Sequence, residues 1–353
     1  MTQTAYQVIV KNKAGALVAM FTHEALLALR TERVVNGIAT HALSIDATAD
    51  SRCDLFVVDG QVEVWRKPAG VAWALEYEGF HRVGKFGMDD DGRETFTSTG
   101  VGYADLLARR IVAYAAGSAE AAKSDKAETV IKSFVSQNAG SSAGAGRPIT
   151  GLSIAADAAG GNTVDIRCAY DNLLDVCQRI ASIGGGDFDV VGTGAATWEF
   201  RWYAGQRGTD RRSTITFSTA YGNMSQPTLT LTPAVANAVE VLGGGEGAAR
   251  TVVWRPASLP TGIDRREMAR DARDTTTTAT LNSRGDAALW EARALNELAF
   301  RVAQMPSYQY GVHYFLGDLV KAYYRGASYD LKIQKATVTL GAPETIDLEF
   351  SNV

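Results

Sequence analysis

Apolar residues in this chain recur mostly at every second position, in short runs separated by glycine and small polar residues. Residues 5–11 and 16–22 are two apolar-rich runs around Lys13-Ala14-Gly15, which predicts an opening hairpin. From Thr40 to Asp46 the polar or small positions Thr40, Ala42, Ser44 and Asp46 alternate with His41, Leu43 and Ile45. A period of two suits a strand with one buried face. Leu55–Val58 and Val62–Trp65 flank Asp59-Gly60-Gln61, and Asp-Gly between strand-like runs signals a second hairpin. Residues 73–85 and 93–100 read as further strands. About eight short strands within roughly the first 105 residues, with no long helix, predict a closed or nearly closed β-barrel or a sandwich. Residues 103–110 (YADLLARR) then read as a short helix leaving it.

The period changes past Tyr114. Ala127, Val130, Ile131, Phe134 and Val135 fall on one helical face, with Asp125 as the expected cap and Glu128 as its capping-box partner. Gly140 ends that helix and Ser141–Gly146 forms a loop of small residues. A strand is expected at 151–156. A second helix from Asp171 carries the apolar stripe Leu173, Leu174, Cys177, Ile180 and Ala181 and stops at Gly184-Gly185-Gly186. In TWEFRWY (197–203), Trp198, Phe200 and Trp202 alternate with Glu199 and Arg201. An aromatic ladder of this kind suits stacking on sugars or bases. The expectation is the plainer one, a strand with one buried face.

Val239 and Val241 lead into Gly243-Gly244-Gly245-Glu246-Gly247, and Thr251–Trp254 runs out on the far side, predicting a hairpin around a glycine tip. Gly243-x-Gly245 mimics the start of a dinucleotide fingerprint. That fingerprint requires a helix directly afterwards, whereas the residues here suit a strand. A charged segment with Arg265, Arg266, Glu267, Arg270, Asp271 and Asp274 comes next, and the expected role is an ion-pair network, solvated or between subunits. Ser283 is the expected cap of a long helix over 284–302, from the spacing of Ala288, Ala292, Leu295, Ala299 and Val302, with Glu297 and Arg301 paired and Pro306 as the breaker. Tyr308, Tyr310 and 312–315 resume strand character. Leu316-Gly317-Asp318-Leu319-Val320 is a turn entering a strand, and 331–333, 336–340 and 346–350 complete a small all-β unit with the 238–254 hairpin.

Composition narrows the chemistry. The 353 residues suffice for two or three domains, and 35 glycines fit short strands and turns. A formal net charge of −4, with no dense basic patch, argues against a phosphate-neutralising nucleic-acid binder. Cys53, Cys168 and Cys177 are too few and too scattered for a disulfide framework and are expected reduced in the core. His23, His41, His81 and His313 show no zinc spacing. Asp89-Asp90-Asp91-Gly92 lacks the alternating acids of a calcium loop and reads as a solvated turn. Nucleophilic hydrolysis needs a Ser or Cys with a base in reach, and no catalytic, cofactor-binding or metal-ligating residue is assigned. No run approaches the roughly 20 apolar residues of a membrane span. Residues 1–20, with Lys11 and Lys13 interrupting any apolar stretch, do not read as a secretory leader, so synthesis in the cytoplasm is expected.

Taken in order, the Gly-x-Gly hairpin tip, the Arg265-Arg266-Glu267 and Arg270-Asp271 segment, the helix after Ser283 and Leu316–Val320 resemble the siphophage tail-hub (baseplate hub) family, mainly across 237–353. The resemblance implies a mainly β fold: two β-barrel-like hub domains, an inserted α/β region and one long helix. The expected boundaries are 1–110 for the first barrel and 111–235 for the insertion. The second barrel would occupy 236–353, with strands near 236–255 and 306–353 interrupted by a loop and long helix near 256–305. Three chains would close a pseudo-sixfold ring in the tail of a virion, with a distal tail protein or tail tube above and tip or fibre proteins below, and genomic DNA passing through unbound. A carbohydrate- or receptor-binding β-protein using Trp198 and Trp202 is the alternative, and a tail-associated cell-wall hydrolase a weaker one.

Overall fold

The computed structural model describes residues 4–48, 51–88, 90, 92–114, 117–303, 305 and 307–352. The chain opens with β1 (Ala5–Lys11), β2 (Leu17–Thr22), β3 (Leu26–Val34), β4 (Thr40–Asp46), β5 (Gln61–Lys67), β6 (Ala74–Met88) and β7 (Glu94–Gly102), followed by the short helix α1 (Asp105–Ala108). The alternation read in the sequence is the alternation of the strands: in β4, His41, Leu43 and Ile45 point inward. The expected strand at Leu55–Val58 is absent. Ser51–Leu55 is a 3-10 turn, Gly60 N–H bonds back to Val57 O, and Asp59 sits at a φ of 63°. That turn delivers the chain into β5, whose neighbours are β1 and β6.

The middle of the chain holds β8 (Ala121–Lys126), α2 (Ala127–Asn138), β9 (Leu152–Ile154), β10 (Thr163–Cys168), α3 (Leu173–Gly184), β11 (Gly186–Gly194) and β12 (Thr197–Ala204). Asp125 does not cap α2. It belongs to β8, which pairs with β10, and Lys126 occupies the cap position. Asn172 caps α3 through its side chain, and Gly185 closes it in the left-handed conformation that glycine tolerates. Leu173, Val176, Cys177, Ile180 and Ala181 on α3 pack into a core of their own with α2 and with Phe188, Phe200 and Trp202.

The last part comprises β13 (Thr216–Ser218), β14 (Met224–Thr232), β15 (Ala238–Leu242), β16 (Val252–Arg255), β17 (Glu267–Asp271), α4 (Thr278–Glu291), β18 (Leu295–Val302), β19 (Leu319–Tyr324), β20 (Ala327–Thr339) and β21 (Thr345–Asn352). The single long helix expected over 284–302 is corrected. α4 starts earlier and ends at Glu291, with Ser283 in its interior, and the rest is a strand in which Leu298, Phe300 and Val302 are buried at a period of two. Small alanines at helical spacing had masked that period. Arg301 turns outward to Asp347 on β21, while the Glu297 side chain and the expected breaker Pro306 lie outside the described residues. Residues 308–315 form isolated bridges rather than a strand.

The pairing reveals a repeat. Seven strands run in the order β2-β1-β5-β6-β7-β4-β3, and six in the order β13-β19-β20-β21-β18-β14. The meander β5-β6-β7 corresponds to β19-β20-β21, β4 to β18, β3 to β14 and β1 to β13. The bulges agree too: β6 shifts register between His81 and Val83 against β7, and β20 between Ile333 and Lys335 against β21. One difference is that β13 runs parallel to β19, whereas β1 is antiparallel to β5. The two runs join edge to edge where β3 pairs with the distal half of β20, Val34 opposite Lys335 and Arg30 opposite Thr339. Among the described residues neither run closes on itself by strand pairing: the two barrel-like units expected are two arcs of one continuous sheet. A shared core of inward side chains, with Phe300 stacked on Phe350 at 4.3 Å, spans both.

The strands near 236–255 expected in the second barrel lie elsewhere. β16-β15-β17 form a separate small sheet covered by α4, inserted between β14 and β18 where the first arc has only the short turn between β3 and β4.

Candidate functional site

Each chemistry suggested by the sequence has a place in the structure. The glycine tip is packed, not open. Gly243 and Gly244 are buried, and a side chain on Gly243 would meet Leu281, Thr251 and Thr275 at 3.0 Å. The tip runs into a three-residue 3-10 turn at Gly247–Ala249 and then β16, so there is no helix N-terminus to receive a phosphate. The aromatic ladder faces inward, with Trp198, Phe200 and Trp202 all buried, and Arg201 outside paired to Glu199. It therefore offers no stacking platform to a glycan.

The charged segment after the hairpin divides into three ion-pair groups. Arg265 holds Glu267, and Arg250 and Arg273 hold Asp271. Asp274 bonds Arg284 on α4, which reaches Asp165 on β10, and Arg167 closes the group. The hydrogen bond from Arg284 keeps the Asp274 carboxyl down at about 2. These residues line a 330 Å³ cleft between β10 and the small sheet, where they fasten the insertion to the hairpin unit within one chain. Arg270 also lines the cleft, and both it and Arg266 are exposed.

The junction between the arcs carries a polar constellation invisible in the sequence. Arg66 on β5 is 3% exposed and donates through Nε to Glu344 Oε2 at 2.8 Å and through Nη1 to Tyr310 O at 2.7 Å. Tyr6 O–H and Thr4 O–H donate to the same carboxylate. Glu344 lies in the turn between β20 and β21, so the pair clamps the first arc to the second. Nearby, Glu76 on β6 is 5% exposed and its Oε1 lacks a hydrogen-bond partner among the described residues. Burial pushes its carboxyl up to about 7 against the pull of the Arg33 and Arg66 charges. Glu76 lines a 170 Å³ cavity with Arg33, Glu78, Asp189 and Arg207, at the meeting point of both arcs and the insertion. Lys332 on β20 donates to Asp187 on β11 at 2.6 Å, and Asn36 donates to the same oxygen at 3.0 Å.

A second network was also missed. Ser98 Oγ lies 2.7 Å from His81 Nδ1 and 3.1 Å from His41 Nε2, on three neighbouring strands. It resembles a nucleophile with bases, but all three residues are at most 3% exposed. Desolvation lowers both imidazoles, His41 to about 3, so both are neutral and packed against Tyr77 and Phe56. The available signal was that His41 occupies an inward position of the period-two pattern of β4; around His81 both faces of β6 are covered and no such period shows. Cys53, Cys168 and Cys177 are free and buried, and burial raises the Cys177 thiol well above its ordinary value. Asp89 and Asp91 lie outside the described residues, and among those described no cluster of three metal-ligating side chains occurs. No described helix is long and apolar enough to cross a membrane.

Comparison with known structures places this architecture. The tail protein from Neisseria meningitidis MC58 superposes with a TM-score of 0.60 at 13% identity, covering 99% of this chain and 97% of that one. The prophage MuSo2 43 kDa tail protein from Shewanella oneidensis gives 0.58 at 10% identity, over 98% and 97%. The prophage tail protein gp18 from Listeria monocytogenes EGD-e gives 0.54 at 9% identity, over 98% and 94%. At such identities the likeness is one of fold. A comparison with curated protein sequences finds no match. A sequence profile matches over residues 13–345, nearly the whole length, and the chain belongs to the siphovirus ReqiPepy6 Gp37-like protein family.

Proposed function

We propose that this protein is a structural hub of a bacteriophage tail tip or baseplate, three copies of which form a ring between the tail tube and the tip. The observation that carries this reading is the internal repeat: one chain presents two arcs of the same strand order side by side, joined through β3 and β20. Three such chains around an axis present six similar units, a geometry that matches a sixfold tube above and a threefold tip below. Cyclic symmetry with head-to-tail contacts produces it. The fold shared with three tail proteins supports the reading. In it the three domains are the first arc with α1 (1–110), the insertion (111–204, ending with β12 rather than at the expected 235) and the second arc from β13 onward with its small sheet (216–352), and the insertion is peripheral to the ring. The role is architectural rather than catalytic: the serine–histidine arrangement found among the described residues is sealed in the core. DNA passes through the ring without specific contact. Multi-angle light scattering at micromolar concentration tests it. A mass of about three chains is expected, with each interface above about 1,000 Å². A strict monomer, alone and with neighbouring tail proteins, refutes the ring.

A further inference from the structure

The repeat supplies more than symmetry. It names the strands that meet between copies. Within the chain, the distal half of β20 pairs with β3, beyond the stretch of β20 that β19 covers. The first arc has the same arrangement with the partner missing. β5 covers β6 only from Ala74 to Phe80, and beyond the bulge the β5-side edge of β6, from Val83 to Met88, is unpaired among the described residues. The counterpart of β3 in the second arc is β14, which among the described residues pairs with β18 on one side and nothing on the other. Each arc therefore exposes the half-joint that the other would fill in a neighbouring copy.

We infer that β14 of one protomer pairs antiparallel with the distal half of β6 of the next, repeating between chains the β3–β20 joint found within the chain. This rests on the ring reading above. The bulges fix the register. Lys335, Ala336, Thr337 and Val338 of β20 correspond to Val83, Gly84, Lys85 and Phe86 of β6. In β3 and β14, the shared ladders to β4 and β18 set Thr31 against Leu229 and Arg33 against Leu231. Since Ala336 pairs with Arg33 and Val338 with Thr31, Gly84 meets Leu231, Lys85 meets Thr230 and Phe86 meets Leu229 of the neighbouring copy.

Side chains at the seam fit. Val338 is 2% exposed in the internal joint, whereas its counterpart Phe86 is 49% exposed although it packs on the buried Phe96 at 4.9 Å. Leu231 is 66% exposed on the corresponding edge. In the joint Leu231 would lie over Gly84 and beside Phe86, and both apolar side chains leave water. The stretch MSQPTLTLTPAVANAV, containing β14, has no charged residue in 16 positions. Unpaired sheet edges usually carry charges, prolines or bulges that block pairing; β14 has Pro227 and a bulge at its start, but Thr228–Thr232 beyond them has none of these, so that stretch is the part left open to a strand of the working assembly. β2 and the short β13 are further free edges among the described strands of this sheet, but the second arc holds no counterpart of β2, and neither β13 nor its counterpart β1 takes part in the β3–β20 joint, so the repeat assigns neither a partner in another copy.

Paired cysteines in the full-length protein test the register. Lys85→Cys with Thr230→Cys places two exposed side chains directly across an antiparallel pair, about 4.5–5.5 Å apart at Cβ. Mild oxidation is expected to link chains into covalent dimers and trimers. Lys85→Cys with Leu231→Cys puts the thiols on opposite faces and is expected to stay unlinked. Glu32→Cys with Thr337→Cys, the in-chain counterpart, is the positive control. Leu231→Asp should raise the midpoint concentration of assembly at least about tenfold while leaving the melting of the isolated chain unchanged. A trimer by light scattering in which 85–230 does not link, or links no better than 85–231, overturns this pairing and leaves the hub reading standing. A link from Met20→Cys on β2 to Thr230→Cys overturns it in the same way. A monomer with no links overturns both.

Discussion

Replacing Glu344 by leucine removes the carboxylate that Arg66, Tyr6 and Thr4 all address. Burial sets the magnitude. Both partners of the pair are nearly inaccessible, at 3% and 6% side-chain exposure, so solvent screens little. Glu344→Leu leaves a guanidinium in the core with only Tyr310 O to satisfy it, and Tyr6 O–H loses its acceptor. Breaking a buried pair from one side costs about 3–5 kcal/mol, whereas replacing both partners by apolar groups of similar volume is often near neutral. Glu344→Leu and Arg66→Met should each lower stability by about that amount, and the double variant by less than either single. The assay is urea unfolding at pH 7 followed by tryptophan fluorescence and far-UV circular dichroism, with coincident transitions required before free energies are compared. A cost below about 1 kcal/mol for both single variants, the range of exposed pairs, would refute the claim that this clamp holds the arcs together.

Further expectations concern ionisation and accessibility. His41 is lowered from 6.5 to about 3, so the fold requires its neutral form. Its stabilising contribution is present above pH 6.5 and is lost on acidification at roughly 1.4 kcal/mol per pH unit. Urea midpoints at pH 7 and pH 5 should therefore converge in His41→Gln, and an unchanged pH dependence in that variant would contradict the assignment. Glu76 is raised from 4.5 to about 7, so keeping it ionised opposes folding as pH rises through that window. Glu76→Gln should match the parent near pH 4 and exceed it by up to about 3 kcal/mol at pH 8; equal stability of the two at pH 8 would count against a buried, unsatisfied carboxylate. Ser141–Gly146 is mostly exposed and joins α2 to β9, so limited proteolysis should cut there first and leave the assembly intact. Dissociation on that cut would show that the insertion holds the ring. Lysine and arginine should not dominate the channel wall, so duplex DNA should pass filter binding unretained at physiological salt, and tight salt-sensitive retention would contradict free passage.

In several strands with one buried face the alternation was legible in the sequence. Residues 40–46 and 197–203 alternate because the fold requires inward and outward positions, and the opening hairpin is bounded by its own turn. Local spacing misled at 284–302, where alanines fit a helix and a strand equally and the β21 ladder decided the outcome. It misled again at Leu55–Val58, where Phe56 is held by contacts to Phe21 and Phe96 from other strands. The clamp and the His41–Ser98–His81 network were not legible because their members are far apart in sequence: 278 residues separate Arg66 from Glu344. The repeat left no sequence trace for a physical reason. Gln61-Val62-Glu63-Val64 and Leu319-Val320-Lys321-Ala322 share the same inward and outward positions while sharing only one residue, because the pattern of burial was kept and the side chains were not.

The central claim is a threefold ring made from six like arcs. Electron-microscope images of the purified full-length protein, averaged without imposed symmetry, address it most directly. The expected end-on views show a ring with a central opening, threefold overall and nearly sixfold at low resolution, with the insertion at its periphery. Images of isolated single-chain particles, in the presence as well as the absence of neighbouring tail proteins, would contradict it.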